Sequence, residues 1–394
     1  MKKTIFGIVL CLIMITSTVV PISATTVSKT TIQPMVMGNT LYVGGSGPNN
    51  YTRIQDAIND ATDGDTIFVY NGRYLEHLII EKSITVVGES KYFTIIDGDE
   101  QEYDVILIKA DGVTVQGFTI QDAYWGGTYL NYHNGIEIWT DYNIIRDNII
   151  KNNQNGIQIG EEIKYEGHEN NYSNYNVIEA NQLIENHLSG VYVIYSAYNE
   201  IIKNTISENR YSGVSLSTEN NQTKISQNII RNQSQNGICM SGGSNNIATG
   251  NILEKNGRGV TICSGSHNAI IGNHIVGNKF GVIIDESSTN SIESNNIYNN
   301  TLNAFVVGFL WMFLAHRLLT NDRWFGQTWD ENYWGSPYRN PKPILYGLAL
   351  IVPTLLRFYI VHNLDQLFIP VVFLPFSRFE RNPAQEPFDI PGMS

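Results

Sequence analysis

The chain is short of cysteine, of charge and of helical pattern. Three of its 394 residues are cysteine, and Cys11 lies in an apolar leader, which leaves Cys239 and Cys263. A disulfide framework is therefore excluded as the source of stability, and burial must supply it. Charged residues make up only 16%, and Asp and Glu (37) outnumber Lys and Arg (25). A formal charge of -12 argues against nucleic acid as a partner, because phosphate binding needs basic residues in excess. Helical periodicity is confined to residues 51–61, "YTRIQDAINDA", where Thr52 and Gln55 suggest a capping box and Ile54, Ala57, Ile58 and Ala61 share one face.

The leader itself has the form of an export signal. Lys2 and Lys3 precede an apolar run from Ile5 to Val20, and Ile22-Ser23-Ala24 offers small residues for cleavage. The expected division is a signal peptide over 1–24 and a linker over 25–38. An uncleaved anchor is the alternative, since the run is close to the shortest spanning length of ~17 residues. Either way the body is expected to be secreted or on the cell surface.

What the chain has in abundance is glycine, asparagine and branched apolar residues held in phase. A Gly followed by apolar residues one and three positions later recurs as "NGIEI" from Asn134, "NGIQI" from Asn155, "SGVYV" from Ser189 and "SGVSL" from Ser212. It continues as "NGICM" from Asn236, "RGVTI" from Arg258, "FGVII" from Phe280 and, degenerate, "LNAFV" from Leu302. The glycines stand 21, 34, 23, 24, 22 and 22 residues apart. Between them runs Asn-x-Ile-x-x-Asn-x-Ile-x-x-Asn, as in Asn143, Asn148 and Asn153. One copy is worn, with Thr223 and Gln233 flanking Asn228. Two apolar columns keep step, from Ile145 to Ile292 and from Ile150 to Ile297.

A period near 22 is too short for a strand–helix–strand unit, which needs ~30 residues. It suits short strands joined by tight corners, each coil stacked in parallel on the next. The expected fold is all-β: a right-handed parallel β-helix of about 22 residues per coil. Ile and Val would fill its inside, Gly and Asn would supply positive φ at the corners, and Asn side chains would hydrogen-bond along the stack. The expected boundaries are an N-terminal strand–helix–strand cap over 39–70, the β-helix over 71–308 and an apolar, aromatic C-terminal cap over 309–394. Two apolar stretches within 302–361 are broken by His316, Arg317, Pro353 and Arg357. A lid over the last coil is the expectation there, with membrane contact the alternative.

With these residues in view, the sequence resembles the exported NosD-like proteins of parallel β-helix repeats, in the pectin-lyase-like superfamily. "NNYTRIQDAINDATDGDTIFVYNGRYLEHLIIEKSITVVGES" is similar to that family's N-terminal segment, and "TWDENYWG" at 328–335 to its closing motif. The likeness covers about residues 40–340 and specifies fold more than activity. It implies lyases, glycosidases, epimerases or non-catalytic binding proteins. A copper-related role is implied for NosD itself, but nothing in these residues carries it over. The Asp pairs and Gly-His-Gly of polygalacturonase-like hydrolases are missing. So is a clear Asp cluster with a companion Arg or Lys, as in Ca²⁺-dependent pectate lyases.

Candidate sites lie at outward positions. Tyr142, Tyr175 and Tyr198 each precede the first Asn of a coil and should form an aromatic column, with Trp139, Tyr192 and Tyr195 on adjoining positions. Aromatic faces beside amides suit sugar rings, so a polysaccharide or glycoconjugate is the expected partner. The bland reading is that the tyrosines stack on one another and stiffen the corner. The insertion 160–175, with Glu161, Glu162, Glu166, His168 and Glu169, could contact a ligand or Ca²⁺. Glu185, His187, Glu208 and Arg210 form the best catalytic constellation, with the two carboxylates roughly 5 Å apart in successive coils. Cys239 and Cys263 are offset beyond disulfide reach; with His267 they are a weak candidate for Cu(I). No cofactor is assigned, and the oligomeric state is open. The favoured function is a non-catalytic, carbohydrate-binding surface protein. A polysaccharide lyase or glycoside hydrolase is one alternative, and a structural envelope protein without a small ligand the other.

Overall fold

The computed structural model describes residues 38–123, 133–160, 172–309, 328–330, 332–334, 344–351, 372–379 and 387–388. These residues form a parallel β-solenoid of about 11 turns and ~23 residues per coil. Three sheets run its length. Sheet 1 contains Ile144–Arg146 and Val177–Glu179, sheet 2 contains Ile149–Lys151 and Gln182–Ile184, and sheet 3 contains Ile157–Ile159 and Val191–Val193. Sheets 1 and 3 have 12 strands each and sheet 2 has 10. The coil is slightly longer than the late repeat suggests because early corners carry insertions. Ladder neighbours are 30 residues apart at Val113 and Asn143 but 22 apart at Asn246 and Asn268.

Strands of three residues cannot hold themselves together, and here each pairs with its counterparts above and below in strict register. Ile145 lies against Val115 and Ile178, and Ile150 against Ile120 and Leu183. Both apolar columns are fully buried from end to end, as are the two inward positions of the Gly-led repeat, such as Ile136 and Ile138. The core is thus a stack of near-identical layers, stable only because each layer covers its neighbours.

Corner chemistry differs from the sequence expectation in an informative way. Positive φ falls on the residue before each ladder Asn: Tyr142, Asp147 and Asn152 in one coil, Tyr198, Lys203 and Glu208 in another. Most residue types are accepted there, at a cost of roughly 1–2 kcal/mol each. The Asn that follows offsets this strain through side-chain bonds. Asn181 Oδ1 accepts from Asn148 N (3.0 Å) and Asn148 Nδ2 (3.2 Å), while Asn181 Nδ2 donates to Ile145 O (2.8 Å). The file Gly135 to Gly281 is glycine for a different reason. At Gly237 a Cβ would lie 2.6 Å from Gly259 O and 2.7 Å from Leu253 Cδ2. Close approach of stacked backbones, not handedness, fixes these residues.

The ends are built from the same parts. Helix α1, Ile54–Asp60, buries Ile54, Ala57 and Ile58 in the core beside the strands Thr40–Val43 and Thr66–Val69, which pair as the first rungs of sheet 1. The expected capping box does not form. Arg53 is the N-cap and makes no side-chain capping bond; Glu76 from the coil below, paired with the Arg53 guanidinium at 3.7 Å, accepts from Ile54 N (2.8 Å) and Gln55 N (3.0 Å) instead. A carboxylate on two free N–H groups is a stronger cap than the Thr52 hydroxyl would be. At the other end Thr328–Asp330 adds a rung to Ser291–Glu293, and Asn332 Oδ1 accepts from Asn295 N (3.0 Å), ending that ladder. Trp329 and Trp334 stack beneath it, ring centroids 6.2 Å apart. Leu302–Phe309 continues sheet 3; Ile344–Ile351 pairs parallel to it and Val372–Phe379 antiparallel to that. No helix among the described residues is long and apolar enough to cross a membrane. The leader, the linker up to residue 37 and most of 309–394 lie outside the described residues.

Candidate functional site

Four of the six aromatic candidates line one edge of the solenoid, where sheet 3 turns into sheet 1. Tyr142, Tyr175 and Tyr198 form the expected column. Their rings are parallel within 4° and 8°, with centroids 5.1 and 4.9 Å apart. Because the rings meet face to face, the inner faces are used between neighbours, and what points outward is edge and hydroxyl. The outer face of Tyr142 is the exception. Its neighbour in the column is Gly112, which has open space around it, and Tyr142 is accordingly 58% exposed against 44% and 45% for the other two. Tyr195 occupies the same edge, also at positive φ.

Trp139 and Tyr192 lie on the outward face of sheet 3, beside two residues the sequence reading passed over, Glu137 and Gln158. Ile136 and Ile138 point inward, so Glu137 and Trp139 point out. Register sets Glu137, Gln158 and Tyr192 in one row, each directly beneath the last. Gln158 Nε2 donates to Glu137 Oε1 (2.9 Å) and Gly160 O (3.2 Å), which fixes the amide's orientation. Its Oε1 is left without a hydrogen-bond partner although the residue is only 2% exposed. Trp139 Nε1 is likewise buried and unpartnered, and so is Asn134 Nδ2 on the same rung. Lys109 Nζ stands 5.2 Å from the centroid of the Trp139 ring. On the following rung, next to the Gln158 strand, comes Gly160, which puts no side chain against the indole. The Gln158 acceptor and the indole donor on the neighbouring strand leave unmet hydrogen-bonding capacity, which costs roughly 1–3 kcal/mol for each group until something satisfies it.

The acidic candidates are placed differently. Glu185 and Glu208 are successive residues of the third corner column, both exposed and both at positive φ. His187 is half-buried behind them, its pKa lowered by burial and then by Arg210. A second carboxylate pair, Asp97 and Asp122, was not singled out in the sequence. Gln121 Nε2 donates to both, at 2.7 and 2.6 Å; Arg73 pairs with Asp97 at 2.9 Å. Burial, then the Asp97 charge, raises the Asp122 carboxyl above its ordinary value. The signal available was positional only, since both are outward acids in adjacent early coils whose corners are irregular. The insertion with Glu161, Glu162, Glu166, His168 and Glu169 lies outside the described residues.

The cysteines do not fit a copper centre. Cys239 is in register with Thr261, and Cys263 with Ser241, so the thiols are offset along the sheet; both are free. Burial pushes the Cys239 thiol up to about 11, and burial with the neighbouring Cys239 pushes Cys263 up as well, opposing the thiolate that a metal bond needs. His267 stands exposed at the first corner, on a different part of the coil. Among the described residues no three His, Cys, Asp or Glu side chains converge on a metal position.

Comparison with known proteins agrees with this architecture. The family model "Periplasmic copper-binding protein (NosD)" matches residues 161–339. Over those residues the parallel β-helix is similar to NosD. The chain is 40% identical over 72 residues to a cell surface glycoprotein of Methanothermus fervidus, and the match spans 18% of the chain but only 12% of that relative's length. Among solved structures it is similar to XylC in complex with xylose, at a TM-score of 0.56 and 14% identity over 66% of this chain and 69% of that one. The mannuronan C-5 epimerase AlgE6 A-module of Azotobacter vinelandii gives a TM-score of 0.56 at 15% identity, over 72% and 82% of the two chains. At such identities the likeness establishes a shared fold. The matched family is described as periplasmic and the relative as a cell surface glycoprotein, both in keeping with an extracytoplasmic β-helix protein.

Proposed function

We propose that this surface protein binds carbohydrate on the outward face of sheet 3, at Trp139, Glu137, Gln158 and Tyr192, with the open face of Tyr142 extending the site. One observation carries the reading: Gln158 Oε1 and Trp139 Nε1, an acceptor and a donor, are buried and unpartnered beside an indole. Neighbouring hydroxyls of a sugar satisfy both, because each hydroxyl donates and accepts, while the C–H face of the ring lies on the indole. This moves the expected site off the stacked faces of Tyr175 and Tyr198 and onto the sheet beside them. Structures of similar fold that contain xylose or act on mannuronan support the ligand class.

Binding of a panel of neutral and uronate polysaccharides, measured by calorimetry, tests it. Gln158→Leu should weaken the best ligand about threefold to tenfold, the value of one hydrogen bond, and Trp139→Ala more. Unchanged affinity in both variants, with unchanged melting, defeats the proposal. A second reading rests on the Asp97–Asp122 pair: a raised carboxyl beside an ion-paired one is the arrangement of an acid–base couple. Under it, new reducing ends or unsaturated products appear from a polysaccharide and vanish with Asp122→Asn.

A further inference from the structure

Asn-x-Ser/Thr triplets occur at Asn50, Asn171, Asn221, Asn232 and Asn299. Asn171 lies outside the described residues, and the fold sorts the other four. Asn50 Nδ2 donates to Gly44 O at 2.6 Å, inside its own loop. Asn221 is half-buried and fully engaged: its Oδ1 accepts from Ser244 N (3.1 Å) and Ser244 Oγ (2.8 Å), and its Nδ2 donates to Glu219 O (3.2 Å). The hydroxyl residue of that triplet, Thr223, is inside the solenoid.

Asn232 and Asn299 are unlike both. Each is an exposed third-corner residue, with φ of 59° and 54°. Ser234 and Thr301, which complete their triplets, are exposed too. Among the described residues neither side-chain amide makes a hydrogen bond, so substituting one amide hydrogen removes nothing that the fold uses. Both stand in a single corner column, with Lys255 and Gly277 between them, so two substituents project from one edge without meeting.

We infer that Asn232 and Asn299 carry N-linked glycans, and that Asn221 does not. The step is a glycosyl transfer from a lipid-phosphate-linked oligosaccharide. A bond forms between the side-chain Nδ2 and the anomeric carbon, the anomeric C–O bond breaks, the phosphate leaves with the electron pair, and the amide loses one proton. The glycans would project from the third corner, on another side of the coil from the outward face of sheet 3.

Glycopeptide mass spectrometry of the full chain purified from its own cells decides the matter. Sugar mass is expected on the peptides containing Asn232 and Asn299, with the Asn221 peptide unmodified. Asn232→Gln should remove one glycan from the intact mass and leave the melting temperature of the glycan-free recombinant chain unchanged. Fully unmodified Asn232 and Asn299 peptides, or a glycan found on Asn221, overturns the inference.

Discussion

Replacing Thr223 with asparagine should stabilise the solenoid, because Thr223 is a fault in an otherwise continuous ladder. Its Oγ1 is buried without a hydrogen-bond partner. The next member shows what a complete rung does: Asn246 Oδ1 accepts from Thr223 N (2.9 Å), and Asn246 Nδ2 donates to Asn220 O (3.0 Å) and Asn268 Oδ1 (3.1 Å). An asparagine at 223 would offer Oδ1 to Asn199 N and Nδ2 to Asn246 Oδ1 and Ser196 O. Two or three added bonds contribute about 0.5–1.5 kcal/mol each. The methyl group of threonine is lost, at roughly 0.8 kcal/mol. The balance is a gain of about 2 kcal/mol. Stacked repeats need not unfold as one unit, so a global midpoint is a blunt readout. Native-state hydrogen exchange is sharper: amides of Glu200–Ile202 and Lys224–Ser226 should exchange about 30-fold more slowly in Thr223→Asn, the equivalent of that gain. Equal or faster exchange there would refute the ladder as a source of stability.

Two glycine substitutions separate close approach from handedness. Gly237→Ala drives a Cβ to 2.6 Å from Gly259 O and should cost about 2–3 kcal/mol. Gly250→Ala, at φ +62° with nothing nearer than 3.9 Å, should cost about 1 kcal/mol, as Ala180 and Lys203 in the same corner column imply. Similar losses in denaturant titrations would contradict that distinction. Acid should destabilise the protein through His187 and His274. Burial lowers the pKa of both in the folded state, so the unfolded chain binds protons more readily. Their contribution is complete above the unfolded histidine value of ~6.5 and is lost as pH falls below it. Melting followed from pH 7.5 to 5 should show the decline, and Gln at both positions should flatten it.

The inward half of the molecule was legible because burial and stacking permit few choices. Ile145 through Ile292 read as a column in the sequence and are one in space. Gln233 shows the tolerance: its longer side chain still accepts from Asn209 N at 2.9 Å, where Thr223 cannot replace an asparagine. The capping box was misread because Glu76, the real cap, lies a coil away from Ile54, at a distance local pattern does not encode. The Tyr column was visible from register alone, but the orientation of its rings was not, since a ring's tilt depends on its neighbours. Glu137 and Gln158 went unnoticed for a simpler reason. They are the middle letters of "NGIEI" and "NGIQI", outward by alternation, where the residue changes from coil to coil and carries no periodic signal.

Hydrogen exchange of the full chain with and without its tightest polysaccharide tests most directly where that ligand sits. Added protection is expected at residues 136–139, 157–160 and 191–195, along the outward face of sheet 3, with corners around Glu185 and Glu208 unchanged. Protection centred instead on Asp97 and Asp122, or on the third corner, would contradict it.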